Sequence, residues 1–285
     1  MKNFAITAFI VGLLSANVVY GEQITPSTVM DASSRQRVVE AAMRELNARY
    51  VFPEVAKKVE EALKKNLAMK SYDRVDDAVR FAERLTEDIQ AVTLDRHIRV
   101  RFSERAMPER VRGEPSGEEL AEMRRQAASR NYGVERVERM PLNIGYLELR
   151  GFEAAELAGE SIAAAMTLLA NSEALIVDLR RNGGGDPATV ALISSYLFDE
   201  RTHLNSFYKR EGNRTTQFWT HDWVPGRRFG NKKPVYVLTS KRTFSAAEEF
   251  SYNLKQLRRG TIVGETTGGG AHPGGMRRLD PHFSI

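Results

Sequence analysis

Ser245 stands at a point where the sequence predicts that a strand turns into a helix. Residues 235–238 form a short apolar run typical of a buried strand, and residues 244–257 carry apolar side chains spaced for one face of a helix. A hydroxyl at such a turn can act as a nucleophile, because the unpaired N–H groups at the start of the helix face a developing oxyanion. The alternative is structural, since Ser245 and Glu248 have the spacing of a capping box, with Ser245 as N-cap and Glu248 as N3. From these residues alone, the capping interpretation is favoured.

A serine nucleophile needs a general base, and the chain offers few. Residues 261–276 contain no Lys, which excludes a lysine base in the stretch that follows the predicted helix. The chain has no Cys, so thiol nucleophiles and disulfides are excluded as well. The base must therefore be one of five histidines, which are His97, His203, His221, His272 and His282. His97 stands close to Asp95 in sequence, but a lone His is more often a surface residue, so the residues by themselves leave the choice open.

Three adjacent glycines, Gly183, Gly184 and Gly185, follow an apolar run at residues 174–179 that is typical of a strand. The turn lacks the Lys-Ser/Thr pair of a phosphate-binding loop and the glycine spacing of a dinucleotide fingerprint, so a nucleotide site is rejected. Without Cβ atoms, its backbone N–H groups can approach a substrate or an oxyanion closely. A tight turn that needs positive φ explains the glycines equally well. No group of His, Asp and Glu has metal-ligand spacing, and we predict no cofactor and no metal.

The first half of the chain is mainly helical in its periodicity. Residues 22–93 contain three amphipathic patterns that predict a helical bundle, with Ser33 or Ser34 as the first cap. Residues 94–140 begin with an alternating stretch at 96–103, a predicted half-buried strand with His97 at its start. The rest of this segment is charged and rich in Pro and Gly, which indicates a linker or flap that contains a weak helix.

The second half alternates strands and helices. Residues 141–285 contain repeated βα units, and the strand at 174–179 is apolar enough to be covered on both faces. Residues 207–228 are either a lid or a hairpin. The predicted fold class is therefore α/β, a helical bundle followed by a core of βα repeats.

The first 21 residues predict an export signal. Lys2 precedes an apolar segment at residues 4–19 that is too short for a comfortable membrane span, and small residues precede Glu22. We expect cleavage after Gly21, a mature protein without an integral membrane segment, and a periplasmic or secreted location. The formal net charge is +5 with acids and bases interleaved, a pattern typical of solvated helix faces, so we predict no nucleic-acid partner.

Three longer motifs occur in order along the chain. They are DLRRNGGG at residues 178–185, FSAAEEF at 244–250 and VGETTGG at 263–269. Together they closely resemble the tail-specific (C-terminal processing) serine peptidase family, in the branch that includes tricorn core protease and the modules of interphotoreceptor retinoid-binding protein. Upstream, YVFP at residues 50–53 and LDRHIRVRF at 94–102 resemble that branch's N-terminal helical domain and its His-bearing strand.

The resemblance implies a crotonase-like α/β core and an exported peptidase that hydrolyses peptide bonds, in peptides or proteins, through an acyl-enzyme. It implies Ser245 as nucleophile and His97 as general base. It also implies an oxyanion hole made by the N–H groups of Ala246 and of Gly183 or Gly184. The alternative is a non-catalytic module that binds an apolar ligand or a peptide.

The sequence departs from the family pattern at three points. Gly270 occupies the position where some relatives have a catalytic Lys, which agrees with the His branch. No PDZ-like segment lies between His97 and the core, so recognition of a substrate's C-terminal tail is not implied. The acidic residue that orients the His in relatives lies beyond Ile285. Because residues 278–285 are periodic without a terminating signal, we expect a chain that is cut short, with an incomplete triad and weak activity at best.

Overall fold

The computed structural model describes residues 29–107, 116–270, 272 and 274–285, so the predicted export signal and the middle of the predicted flap lie outside the described residues. In chain order the helices are α1 Ala32–Arg49, α2 Pro53–Ala68, α3 Ala78–Thr93, α4 Gly117–Ser129, α5 Ala155–Leu169, α6 Pro187–Ser195 and α7 Ala246–Gln256. The strands are β1 Arg101–Phe102, β2 Val134–Met140, β3 Ile144–Leu149, β4 Ala174–Asp178, β5 His203–Lys209, β6 Arg214–Trp219, β7 Val235–Thr239, β8 Thr261–Gly264 and β9 Phe283–Ser284. A helical unit precedes an α/β unit, which confirms the predicted fold class.

Helices α1, α2 and α3 pack together around one apolar cluster, in which Leu63, Phe81 and Leu85 are fully buried. Helix α1 begins earlier than predicted, because the Asp31 carboxylate accepts a hydrogen bond from the N–H of Ser34 at 2.6 Å. The predicted serine caps are therefore wrong. A carboxylate is a strong cap, since its charge also meets the positive end of the helix dipole.

The segment that carries His97 is mostly not a strand. Within this segment, only β1 pairs with another strand, and it runs antiparallel to β9. Before it, the N–H of Val100 donates to Oγ1 of Thr86 at 2.8 Å, and Nε2 of Gln90 donates to the carbonyl oxygen of Ile98 at 2.8 Å. Side chains of α3 thus bind the backbone in place of a partner strand, so the predicted strand at 96–103 is wrong over most of its length. His97 lies in a turn that follows α3.

The main sheet has the strand order β2-β3-β4-β7-β8. Strand β2 runs antiparallel to β3, and the other neighbours are parallel. Strand β2 lies inside the segment that was predicted to be a linker or flap. Helix α4 coincides with the weak helix that was predicted in the same segment. The strands predicted at 144–149 and 261–264 are confirmed.

Helices α5, α6 and α7 cover one face of this sheet and share one apolar core with it. The order from β3 to β8 never reverses, so right-handed crossovers place all three helices on the same side. The opposite face is only partly covered by described residues, because Tyr236 is 39% and Val263 46% exposed. Along β4, Leu175, Val177 and Asp178 are buried and Ala174 and Ile176 are half-buried. The strand is thus fully covered on one face and partly covered on the other.

Strands β5 and β6 form a separate antiparallel hairpin, which agrees with the hairpin interpretation of this region. Strand β9 belongs to the helical unit in its packing. Its Phe283 packs among the helices α1 to α3 rather than in the core of the main sheet. None of the helices that the structure describes is long and apolar enough to cross a membrane.

Candidate active site

Ser245 lies where β7 leads into α7, as the sequence predicted. Two hydrogen bonds fix the connecting turn to the residues after β4. Oγ1 of Thr243 donates to the carbonyl oxygen of Leu179 at 2.8 Å. The N–H of Phe244 donates to the carbonyl oxygen of Asn182 at 3.1 Å. Ser245 has φ +56° and ψ −125°. Such a conformation costs a residue with a side chain about 1–3 kcal/mol, and it persists only where the surrounding structure imposes it. A strained serine at a strand-to-helix turn is typical of a nucleophile that the fold presents to substrate.

The glycine turn between β4 and α6 lies directly against Ser245. A Cβ on Gly184 would lie 2.6 Å from the Cβ of Ser245 and 2.9 Å from the nitrogen of Ala246, and Gly184 has φ +103°, so only glycine fits there. The N–H of Gly184 already donates to Oδ1 of Asn182 at 2.8 Å. The N–H groups of Gly183 and Ala246 have no acceptor among the described residues. Of the three candidate oxyanion donors, these two are available.

The Glu248 carboxylate joins Ser245 to the Gly-rich loop. It accepts hydrogen bonds from the N–H of Ser245 at 2.9 Å, of Gly269 at 2.7 Å and of Gly270 at 2.6 Å. Glu248 is the N3 residue of the capping box that the sequence predicted. Its contact with the loop was not predictable from that motif, and it shows that capping and positioning of the serine are compatible roles.

The imidazole of His97 packs on Phe244, the residue before Ser245, with ring centroids 4.5 Å apart. A Cβ on Gly270 would lie 2.8 Å from Cε1 of His97, so the glycine at this position leaves room for the ring. Both ring nitrogens are buried, and neither has a hydrogen-bond partner among the described residues. His97 thus contacts the residue that precedes Ser245, and its ring makes no hydrogen bond to the Ser245 side chain in this structure.

Asp95 lies beneath His97 and is itself buried, with 5% of its surface exposed. Its Oδ1 accepts a hydrogen bond from the N–H of His97 at 2.9 Å and lies 3.4 Å from Nδ1 of the same residue. Its Oδ2 lies 3.3 Å from Nδ1 of His272 and 3.4 Å from the hydroxyl of Tyr50. The carboxylate thus brings together two histidines that are remote in sequence.

Two of the other histidines are occupied elsewhere. The ring of His203 shares a hydrogen bond with Ser206 on the hairpin at 3.0 Å, and Nδ1 of His282 lies 2.9 Å from the carbonyl oxygen of Ser103. At the Asp95 carboxylate, the side chain of His272 is 37% exposed and that of His97 is 21% exposed. His97 is the better enclosed of the pair and the one that contacts the residue next to Ser245.

Two carboxylates near the site were missed by the sequence analysis. Burial opposes ionisation of Asp178, but hydrogen bonds from Arg180 and Tyr146 outweigh it and lower its pKa. The ion pair between Asp178 and Arg180 fixes the end of β4 just before the glycine turn. Burial raises the pKa of Glu249 to about 7, although a hydrogen bond from Asn205 opposes the shift. Glu249 could have been identified from the sequence, because it is a carboxylate on the apolar face of a predicted helix.

No three His, Asp or Glu side chains are grouped closely enough to hold a metal ion in the part of the chain that the structure describes.

Two family models match the chain and together span both of its units. The model of peptidase family S41 matches residues 143–283, and the model of the N-terminal domain of this family in eukaryotic IRBP matches residues 30–137. The chain belongs to peptidase family S41, which confirms the resemblance drawn from the sequence motifs.

Two solved structures share the fold over most of their length. A protein from Parabacteroides merdae ATCC 43184, described as a peptidase, has a TM-score of 0.57 and 19% identity, over 88% of this chain and 81% of its own. A lipoprotein from Streptococcus agalactiae has a TM-score of 0.51 and 16% identity, over 88% of this chain and 82% of its own. At these identities the likeness extends to the fold alone.

Proposed function

We propose that this chain is a serine peptidase that hydrolyses peptide bonds through an acyl-enzyme on Ser245, with His97 as the general base. The observation that carries the proposal is the strained backbone of Ser245 at the turn between β7 and α7. Strain of this kind is kept only where packing imposes it. In support of the proposal, Ser245 follows Phe244, on which the His97 ring packs, and lies against Gly184, the neighbour of Gly183.

The reaction follows from these positions. Oγ of Ser245 attacks the carbonyl carbon of the scissile bond while Nε2 of His97 accepts its proton. The carbonyl oxygen becomes an oxyanion, which the N–H groups of Gly183 and Ala246 stabilise, each donor contributing about 3 kcal/mol. His97 returns the proton to the leaving amine, and water then hydrolyses the acyl-enzyme by the same sequence of proton transfers. These steps require no cofactor.

The choice of His97 over His272 is supported by packing. His97 contacts Phe244 and is held between that ring and Asp95. His272 contacts Phe52 instead, with ring centroids 5.0 Å apart, which places it towards the helical unit. We therefore expect removal of the His97 ring to disable the serine and removal of the His272 ring to have a small effect.

The proposal is tested with a fluorophosphonate probe and with fluorescein-labelled casein. The wild-type protein is expected to label at Ser245, as located by peptide mass spectrometry. Ser245→Ala should not label, and His97→Ala should label at least about 10³-fold more slowly, because nucleophile and base act as a unit. His272→Ala is the matched control, since it removes the other ring at the same carboxylate.

Two results would contradict this assignment. If folded wild-type protein fails to label, the chain is better described as a non-catalytic module that binds a peptide or an apolar ligand. If His272→Ala abolishes labelling while His97→Ala retains it, the base lies in the Gly-rich loop.

Export is part of the proposal and is supported by the sequence of residues 1–21, with its early Lys2 and short apolar segment. An exported location would place the peptidase among peptides and proteins outside the cytoplasm.

A further inference from the structure

Asp95 occupies a buried position that the proposed reaction does not yet use. It follows Leu94, the left-handed C-cap of α3, and its N–H donates to Oγ1 of Thr93 at 3.2 Å. Only 4% of its side chain is exposed. A buried carboxylate is costly unless charged or polar groups surround it, so its neighbours indicate what it is there to hold.

The groups that face this carboxylate are few. Its ion-pair partners among the described residues are His97 and His272, and Tyr50 supplies a hydroxyl. Burial raises the pKa of Tyr50 to about 12, so the phenol stays neutral and acts as a donor. Burial also works against ionisation of Asp95, but the hydrogen bond from the backbone N–H of His97 and the charges of His97 and His272 outweigh it and hold its pKa below the ordinary value. Asp95 is thus an anion whose surroundings are mainly imidazole.

The position of the His97 ring gives this anion a directional role. Nδ1 lies 3.4 Å from Oδ1 of Asp95, while Phe244 and Gly270 contact other parts of the ring. With Nδ1 turned to the carboxylate, Nε2 is the nitrogen left for a reacting hydroxyl. A carboxylate acceptor favours the tautomer protonated at Nδ1, which is the form that can accept a proton at Nε2.

We propose that Asp95 is the positioning residue of the catalytic histidine: its Oδ1 lies 3.4 Å from Nδ1 of His97 without a hydrogen bond in this structure, and the contact tightens to a hydrogen bond when substrate binds, which fixes the tautomer and orientation in which Nε2 takes the proton of Ser245. The inference rests on the proposed function of Ser245 and His97. It assigns the orienting carboxylate to a residue two positions before the histidine in the helical unit.

The test compares variants of the whole protein by the rate of fluorophosphonate labelling, with inactivation rate and probe affinity measured separately. Asp95→Asn is expected to lower the inactivation rate by about 10²- to 10⁴-fold, as loss of the orienting carboxylate does in the serine-protease template, with little change in probe affinity. Asp95→Glu should recover part of this loss. Asp95→Ala should regain rate when formate is added, which a purely structural role would not produce.

Asp88→Asn is the matched control. Asp88 lies on α3 in the same unit, and its carboxylate accepts hydrogen bonds from the Tyr72 hydroxyl at 2.8 Å and from Asn66 at 2.9 Å. Its loss should alter thermal unfolding and leave the labelling rate within about threefold of wild type.

The tautomer provides a measurement that does not depend on any variant folding. Nitrogen NMR of histidine-labelled wild-type protein, with His97 assigned by comparison with His97→Gln, should show His97 protonated at Nδ1. A ring protonated only at Nε2 would overturn the proposal, as would folded Asp95→Asn that labels as fast as wild type. If wild-type protein does not label at all, the proposed function itself fails and this inference fails with it.

Discussion

Glu249→Gln offers a quantitative test of the electrostatics around α7. Glu249 is partly buried, and its Oε1 accepts a hydrogen bond from Nδ2 of Asn205 on β5 at 2.8 Å. Burial raises its pKa from the ordinary value of 4.5 to about 7, the Asn205 hydrogen bond opposes this, and the charge of Asp186 adds to it. Glutamine keeps the shape and an oxygen acceptor for Asn205, so the substitution removes mainly the charge.

The sign of the effect follows from the direction of this shift. The folded protein retains a proton on Glu249 at pH values where the unfolded chain has lost it, so the side chain contributes its full stability below about pH 4.5 and loses it as the pH rises through about 7. The shift corresponds to about 3 kcal/mol at 1.36 kcal/mol per pKa unit. Because the side chain is partly exposed to water, we expect about 2 kcal/mol to be measurable.

The measurement is urea unfolding followed by circular dichroism at several pH values. Between about pH 5 and about pH 8, the free energy of unfolding of wild type should fall by about 2 kcal/mol relative to that of Glu249→Gln. Glu61→Gln, at an exposed position of α2, is the control and should follow the wild-type curve. Parallel curves for wild type and Glu249→Gln across this range would refute the reasoning.

Two further predictions concern the glycine turn and the export signal. Gly184→Ala should cut the rate of Ser245 labelling by at least about tenfold, because its Cβ would lie 2.6 Å from that of Ser245 and force the two turns apart; Gly159→Ala, where a Cβ meets nothing within 4 Å, should be as active as wild type. N-terminal sequencing of protein recovered from the exported fraction of expressing bacteria should begin at Glu22, and an unprocessed protein that remains in the cytoplasm would show that residues 1–21 are not an export signal.

Much of the fold was predictable because its patterns are local. The strand at Thr261–Gly264 and the helix at Gly117–Ser129 each depend on residues within a few positions of one another. The strand predicted at 96–103 failed for the opposite reason. Its alternation of apolar and charged residues is real, but Thr86 and Gln90 of α3 bind its backbone, so the alternation reflects packing on a helix rather than pairing in a sheet.

By itself, the sequence determined that Ser245 would stand between a strand and a helix, that glycines would form a nearby turn, and that the chain resembles a serine peptidase family. Tertiary structure decided which groups are free to act. Glu248 ties the Gly-rich loop to the serine. Asp95 lies within ion-pair distance of both His97 and His272, and no local pattern indicated which of the two is the better candidate for the general base. These outcomes depend on contacts between residues remote in sequence, and periodicity carries no information about which remote side chains will meet.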